Sequence, residues 1–235
     1  MLPWLSTARP RPLATVRDVP LAKVVRDDLL GRILRGQLLP GKRINEPDVA
    51  RRLGISRVPV REALRELESS GLVVSRKNLG VFVRQLEARE VADLYELRGV
   101  LDGYAGGRAA GLREAPRRAL LRILDAATAA MRKAERRRDV PEYYGENLRF
   151  HWAIVDAAGN DKLSETYRTV VQQCHLWRLR NLSQDAGMAA SLAEHDEIVR
   201  AIRDAEPARA QRLLAAHVGA AHARLERHLQ KEPSP

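Results

Sequence analysis

The sequence predicts a mainly α protein in two parts, an N-terminal winged helix-turn-helix followed by an all-helical bundle of about six helices. Three observations predict it. Two short helical patterns joined at a glycine precede a pair of β-prone runs within residues 19–84; the β signal disappears after Arg84; and nearly all the excess charge lies before that point. The 235-residue chain has a formal net charge of +11. Residues 1–84 hold 17 Lys/Arg against 8 Asp/Glu, and the remainder holds 24 against 22. A merely basic surface would not produce this asymmetry. It is the footprint of a polyanion-binding module attached to a near-neutral domain.

Each element has a local reason. Residues 1–18 contain three prolines and no apolar period, and read as a flexible tail. From Pro20, Leu21, Val25, Leu29 and Ile33 recur every four residues as a helix, which Leu39-Pro40-Gly41 stops. A short helix over 46–53 turns Val49, Ala50 and Leu53 inward, and Gly54 stands where a helix C-terminus wants glycine. Ser56 occupies an N-cap position before a second helix over about 57–70, with Pro59 in the first turn, where a missing N–H is harmless. Leu72-Val73-Val74 and Val81-Phe82-Val83 flank a polar stretch and read as a hairpin. Beyond Gln85, amphipathic helices are broken near residues 111–116, 139–141, 159–160, 187 and 206–207, giving the bundle over residues 88–230.

Several classes are excluded. A single cysteine, Cys174, rules out a disulfide framework, Cys-based zinc fingers and iron–sulfur clusters, and fits a reducing cytoplasm. No apolar run approaches the roughly 18 residues a membrane span needs, and the N-terminus has no apolar signal core. No phosphate-binding loop, dinucleotide fingerprint or nucleophile elbow occurs.

In the second helix of the basic third, Val60, Ala63, Leu64 and Leu67 form an apolar face, while Arg57, Arg61 and Arg65 fall four apart on another. A recognition helix needs this division, because one stripe packs on the module while N-terminal side chains enter the major groove. Arginine hydrogen-bonds guanine O6 and N7 bidentately or clamps phosphate. Ser56 at the helix start and Arg76 and Lys77 at the hairpin tip complete the candidate DNA-binding set. An ordinary solvated face, with Glu62 and Glu66 as i,i+4 partners, would explain the arginines alone. It would not explain the capped helix-turn-helix, the basic hairpin and the regional charge together.

Leu39-Pro40-Gly41, Ile44-Asn45-Glu46, Val49-Ala50, the run from Leu53 to Leu64 (LGISRVPVREAL) and Gly71-Leu72-Val73 resemble the N-terminal module of GntR-family transcriptional regulators. The resemblance covers residues 20–84 and implies operator contacts by Arg57 and Arg61. Some members carry a further arginine just after the residue equivalent to Glu46; here it is Pro47, so that contact is absent.

All six histidines follow residue 150. His151 lies one helical turn after Asn147, so both project from one face. His195 and His217 flank the break at Glu206 symmetrically, and an antiparallel turn there would bring them side by side. Three imidazoles and one side-chain oxygen make a first shell for Zn²⁺, Ni²⁺ or Mn²⁺. His175, His222 and His228 are expected to lie outside it; His222 is about 140° around the helix from His217. Glu96-Leu97-Arg98, the runs 147–154 and 158–163, and the run 194–202 (EHDEIVRAI) are similar to the helical effector domain of the FadR-type (FCD) GntR subfamily. The metal ligands of such domains match Asn147, His151, His195 and His217, with Asn147 a weaker donor than the Asp found in other members. Arg98 matches an arginine that meets a carboxylate effector in several members, or else forms an i,i+4 salt bridge to Asp102.

The function expected is a sequence-specific regulator, a homodimer on a short palindromic DNA operator, whose helical domain senses an organic or sugar acid at a divalent metal. Repression relieved by the effector is the commoner mode. The alternative is a metal-dependent hydrolase with an accessory nucleic-acid-binding module. It would need a general base beside the metal, and Glu146 and Glu194, adjacent in sequence to ligands, point about 100° away from them. Non-specific nucleic-acid binding would call for aromatic stacking platforms, whereas residues 19–84 contain only Phe82.

Overall fold

The computed structural model describes residues 20–179 and 187–231, so the tail predicted over 1–18 lies outside the described residues. The basic part consists of α1 (Leu21–Leu34), β1 (Arg43–Ile44), α2 (Glu46–Leu53), α3 (Arg57–Ser69), β2 (Val73–Arg76) and β3 (Gly80–Val83). Val25, Leu29 and Ile33 of α1 meet Val60, Ala63, Leu64 and Leu67 of α3 in one apolar core, as the four-residue spacing predicts. Gly54 ends α2 at φ +66°, a conformation that disfavours any residue with a Cβ.

Two local readings are corrected. Ser56 takes the extended N-cap backbone, but its side chain caps nothing. The sheet has three strands, antiparallel in the order β1-β3-β2, with Arg43 opposite Phe82 on one side and Val74 opposite Phe82 on the other. A two-residue strand is too short to show an alternating pattern, so β1 left no periodic trace in the sequence.

The second part contains α4 (Ala88–Ala110), α5 (Glu114–Arg136), α6 (Val140–Ala157), α7 (Asp161–Leu179), α8 (Met188–Arg203) and α9 (Pro207–Lys231). Apart from the end of α7 at Leu179, each boundary falls near a break read from the sequence. The closest pairing is α4 on α9, and glycines set its distance. A Cβ on Gly103 would stand 3.1 Å from the Gln211 carbonyl oxygen, and one on Gly106 3.1 Å from that of Ala210. The two backbones therefore nearly touch, which seats Asp102 of α4 beside the helix that carries His217.

The chain divides into two compact units, and the division is not a single cut near residue 85. Residues 88–171 and 187–231 form one unit; residues 20–87 and 172–179, the end of α7, form the other. Leu176 belongs to the same apolar core as Val25 and Leu67. Gln173 Nε2 donates to the Ser70 carbonyl at 2.9 Å, and His175 Nε2 lies 2.8 Å from the Leu34 carbonyl, to which it must donate. The histidine expected to be unrelated to metal is thus a structural donor. Burial, assisted by nearby Arg178, lowers its pKa to about 4 against the opposing pull of the Leu34 carbonyl. Between pH 6.5 and about 4 the unfolded chain binds a proton here that the folded chain does not, so stability falls with pH across that window. Chemical denaturation should show up to about 3 kcal/mol lost from this group on going from pH 7 to pH 4. The slope should flatten in His175→Gln; an unchanged slope would place the acid sensitivity elsewhere.

Candidate functional site

Three helices of the bundle each deliver one histidine to a common point: α6 gives His151, α8 His195 and α9 His217. One nitrogen from each lies within 4.8 Å of the others, and all three side chains are buried. His195 and His217, eleven residues on either side of Glu206, have ring centroids 4.5 Å apart. His151 stacks on His217 at 5.1 Å.

Two carboxylates orient these rings. Asp102 Oδ1 lies 2.7 Å from His151 Nδ1, and Glu194 Oε2 lies 2.6 Å from His217 Nδ1. Ionised carboxylates only accept, so each histidine donates through Nδ1 and presents an Nε2 lone pair. The two Nε2 atoms face each other at 3.2 Å. Two lone pairs at that separation repel unless a proton or a cation lies between them. Both nitrogens of His195 are buried without a hydrogen-bond partner. Burial, reinforced by the neighbouring histidines and arginines, keeps His195 well below its usual pKa. Burial likewise pushes His151 down to about 4, despite Asp102. Neutral imidazoles with converging lone pairs and an orphaned buried ring suit a divalent transition metal.

The carboxylates are themselves held. Asp102 is fully buried and takes Arg98 Nε at 3.1 Å and the Tyr167 hydroxyl at 3.3 Å. Burial would raise its pKa, but His151 and Arg98 more than offset that and lower it. Glu194 forms a two-pronged pair with Arg224 at 2.7 and 2.8 Å. Against the effect of burial, its bonds to His217 and Arg224 bring it down to about 2.

Of the residues singled out in the sequence, His151, His195 and His217 come together. Asn147 lies one turn before His151 on α6, half-buried. Arg98 forms the i,i+4 pair with Asp102, one of the two roles open to it. His222 instead stacks on Tyr95 at 4.8 Å, and the side chain of His228 lies outside the described residues. Tyr167 and Arg224 were missed, and Asp102 and Glu194 were named without their roles as partners of the histidine rings. Glu194 was rejected as a base for His195, its sequence neighbour, yet it reaches the histidine of the next helix. A sequence signal existed for Asp102: two charges, Arg98 and Asp102, sit four apart on the same glycine-rich face of α4 that packs on α9.

In the basic unit, Ser56, Arg57, Arg61, Arg65, Arg76 and Lys77 are all exposed. Neither Glu62 nor Glu66 neutralises the arginine row. Arg61 Nε bonds Glu46 of α2 at 2.9 Å, and Glu66 pairs with Arg26 of α1. The Arg61 bond uses Nε only, so its two terminal amino groups remain for other acceptors. Arg76 rests over the Phe82 ring at 4.8 Å, which steadies the hairpin tip. Val58, between Arg57 and Arg61, is 61% exposed and was not foreseen as part of this surface. Its apolar tip on a polar face suits a thymine methyl.

An exposed arginine row on a winged helix-turn-helix, in one chain with a helical domain built around a buried histidine cluster, defines a DNA-binding transcriptional regulator. Residues 21–83 match the gntR family of bacterial regulatory proteins, and residues 93–220 match the FCD domain. The chain belongs to the GntR family, in its FadR-type branch with an FCD domain, a family of regulators and not of enzymes. It is 30% identical over 200 residues to a probable D-xylose utilization operon transcriptional repressor of Paenarthrobacter nicotinovorans, covering 85% of this chain and 86% of that one. It is 34% identical over 157 residues to the Nta operon transcriptional regulator of Aminobacter aminovorans, covering 62% and 70%. Among solved structures, a putative GntR regulator from Rhodococcus sp. RHA1 superposes with a TM-score of 0.72 at 25% identity, covering 87% of this chain and 97% of that one. E. coli McbR/YncC shares the fold at TM-score 0.73 and 22% identity, covering 89% and 99%. Among the described residues no helix is long and apolar enough to cross a membrane.

Proposed function

We propose that this regulator is a cytoplasmic homodimeric repressor that reads a short palindromic operator and responds to a small anionic metabolite bound in the helical domain. The observation that carries the sensing half is the charge balance of the buried cluster. Asp102 and Glu194 are matched by Arg98 and Arg224, around imidazoles kept neutral at His151 and His195. His151, His195 and His217, with Asn147 as a weaker oxygen donor, would hold Zn²⁺, Ni²⁺ or Mn²⁺. When bound, such an ion supplies a Lewis-acidic centre for an anionic ligand. It would add two positive charges to a site whose carboxylates and arginines already balance, and buried charge must be compensated. An organic or sugar acid supplies that compensation, and Arg98, whose charge Asp102 balances, would orient the acid by hydrogen bonding. The name of the D-xylose utilization relative accords with control of small-metabolite genes. A ligand that favours one arrangement of the chain over another shifts the equilibrium between DNA-competent and incompetent forms.

On the DNA side, Arg57, Arg61 and Arg65 with Val58 face the major groove, and Arg76 and Lys77 reach the backbone or minor groove. Arg57→Ala or Arg61→Ala should weaken operator binding by about 1–3 kcal/mol while barely changing affinity for random duplex. Fluorescence anisotropy on both duplexes, with the operator selected by the protein from a random pool, checks this. Equal losses on the two would remove the base-reading role.

A further inference from the structure

The hairpin joining β2 to β3 carries an exposed leucine at its tip. Residues 77–79 form the turn, closed by a hydrogen bond from the Leu79 N–H to the Arg76 carbonyl at 3.0 Å. Asn78 takes a φ of +62°, which asparagine tolerates better than most residues. Leu79 is 56% exposed and lies outside the apolar core of its unit. One exposed leucine needs no explanation by itself. Its surroundings set this one apart.

The hairpin is pinned at its base. Glu68 of α3 accepts from the Ser75 N–H at 2.7 Å and from the Ser75 hydroxyl at 2.8 Å. Arg43, Arg76, Gly80 and Phe82 share one face of the sheet, because Arg43 and Val74 both stand opposite Phe82 and Arg76 stands opposite Gly80. Arg76 lies over the Phe82 ring, and a Cβ on Gly80 would meet Arg43 Nε at 3.0 Å. Glycine thus leaves room for the Arg43 guanidinium beside the residue that follows Leu79. Lys77 adds a third cation. Residues 73–83 contain no Asp or Glu, and Glu68 is taken up by Ser75. Arg43, Arg76 and Lys77 have no ion pair among the described residues.

An apolar tip on a rigid stem, flanked by uncompensated positive charge, fits a polyanion with an apolar interior. The minor groove of duplex DNA has that chemistry, with phosphates along both edges and stacked bases between them. An apolar pocket on a protein would match the leucine and leave three cations without acceptors. We infer that Leu79 is a wedge: while α3 reads the major groove, the hairpin tip enters the adjacent minor groove, inserts Leu79 between two stacked bases and kinks the operator there. Arg43, Arg76 and Lys77 neutralise the phosphates on either side. Pyrimidine–purine steps (TA or CA/TG) open most easily, so Leu79 reads sequence through deformability and without hydrogen bonds. The inference rests on the operator reading above and adds a shape-dependent position to it.

Full-length wild type, Leu79→Ala and Leu79→Arg, compared on the operator selected from a random pool and on a random duplex, test the wedge. Energy transfer between dyes at the duplex ends reports bending, and 2-aminopurine placed at successive adenines reports unstacking. Wild type should bend the operator by about 20° or more and raise 2-aminopurine fluorescence at a fixed step of the site. Leu79→Ala should lose both signals and bind the operator about ten-fold or more weakly, the scale of one buried leucine, with random-duplex affinity unchanged. Leu79→Arg should keep or raise affinity for random duplex yet lose the bend and the unstacking, which separates a wedge from a phosphate contact. Replacing the opened step by a stiff A-tract should weaken wild type and leave Leu79→Ala unmoved. Bending and unstacking retained in Leu79→Ala, or absent from wild type bound to its operator, would overturn the wedge and leave the operator reading standing. Wild type that prefers no sequence over random duplex would overturn both.

Discussion

Asp102→Ala should destabilise the helical domain by about 3–5 kcal/mol, the largest effect of any single substitution in this cluster. The reason lies in what the carboxylate holds. It is fully buried, pairs with Arg98 at 3.1 Å, takes His151 Nδ1 at 2.7 Å and accepts from Tyr167. Removing it takes a buried counter-charge away from Arg98, a residue only 7% exposed, in a medium that solvates charge poorly. It also frees the His151 ring to rotate or change tautomer, so metal affinity should fall by about 10–100-fold in whatever fraction folds. Asp102→Asn separates the two effects. Its amide still accepts from His151 but no longer neutralises Arg98, so it should recover part of the metal affinity while remaining destabilised. Denaturant titration and metal titration of the three proteins check this. A stability loss below about 1 kcal/mol for Asp102→Ala would show that Arg98 is compensated elsewhere.

His195→Ala should abolish stoichiometric metal binding while leaving the metal-free protein near wild-type stability. His195 is the one histidine of the three with no hydrogen bond at either nitrogen, packed 4.5 Å from the Phe150 ring. Truncating a buried side chain leaves a cavity that costs stability. It also removes two unpaired polar atoms from the interior, which offsets that cost. The same truncation at His151 or His217 would strand the carboxylate each ring serves. Elemental analysis after dialysis against Zn²⁺ or Mn²⁺ should give about one ion per wild-type chain and none for His195→Ala. The stabilisation that metal confers on wild type should vanish with it. Stoichiometric metal in His195→Ala would place the ion elsewhere.

Most of the fold was legible because its signals are local. The four-residue spacing in α1, the glycine after α2 and the five breaks of the bundle each depend on residues near in sequence. The His195–His217 juxtaposition was legible for the same reason: equal distances from one turn make two antiparallel helices align. What escaped depends on contacts across helices. Asp102 is 49 residues from His151, and Glu194 serves not the histidine beside it but His217, 23 residues on. The end of α7 reads as one more turn of the bundle helix, yet Leu176 joins the core of the other unit and His175 bonds Leu34. Helical periodicity shows that a face is apolar without showing which neighbour covers it. Val58 escaped because an isolated exposed valine carries no pattern until the surrounding arginines are seen to share its surface.

The claim that a metal-centred sensor governs DNA binding is tested most directly by measuring operator affinity for metal-loaded wild type and for His195→Ala carried through the same metal treatment, each titrated with a panel of organic and sugar acids. At least one acid that raises the thermal midpoint of metal-loaded wild type should change its operator affinity five-fold or more and leave His195→Ala unmoved. An equal change in both proteins, or stabilising acids that leave wild-type affinity untouched, would separate the histidine cluster from the control of DNA binding.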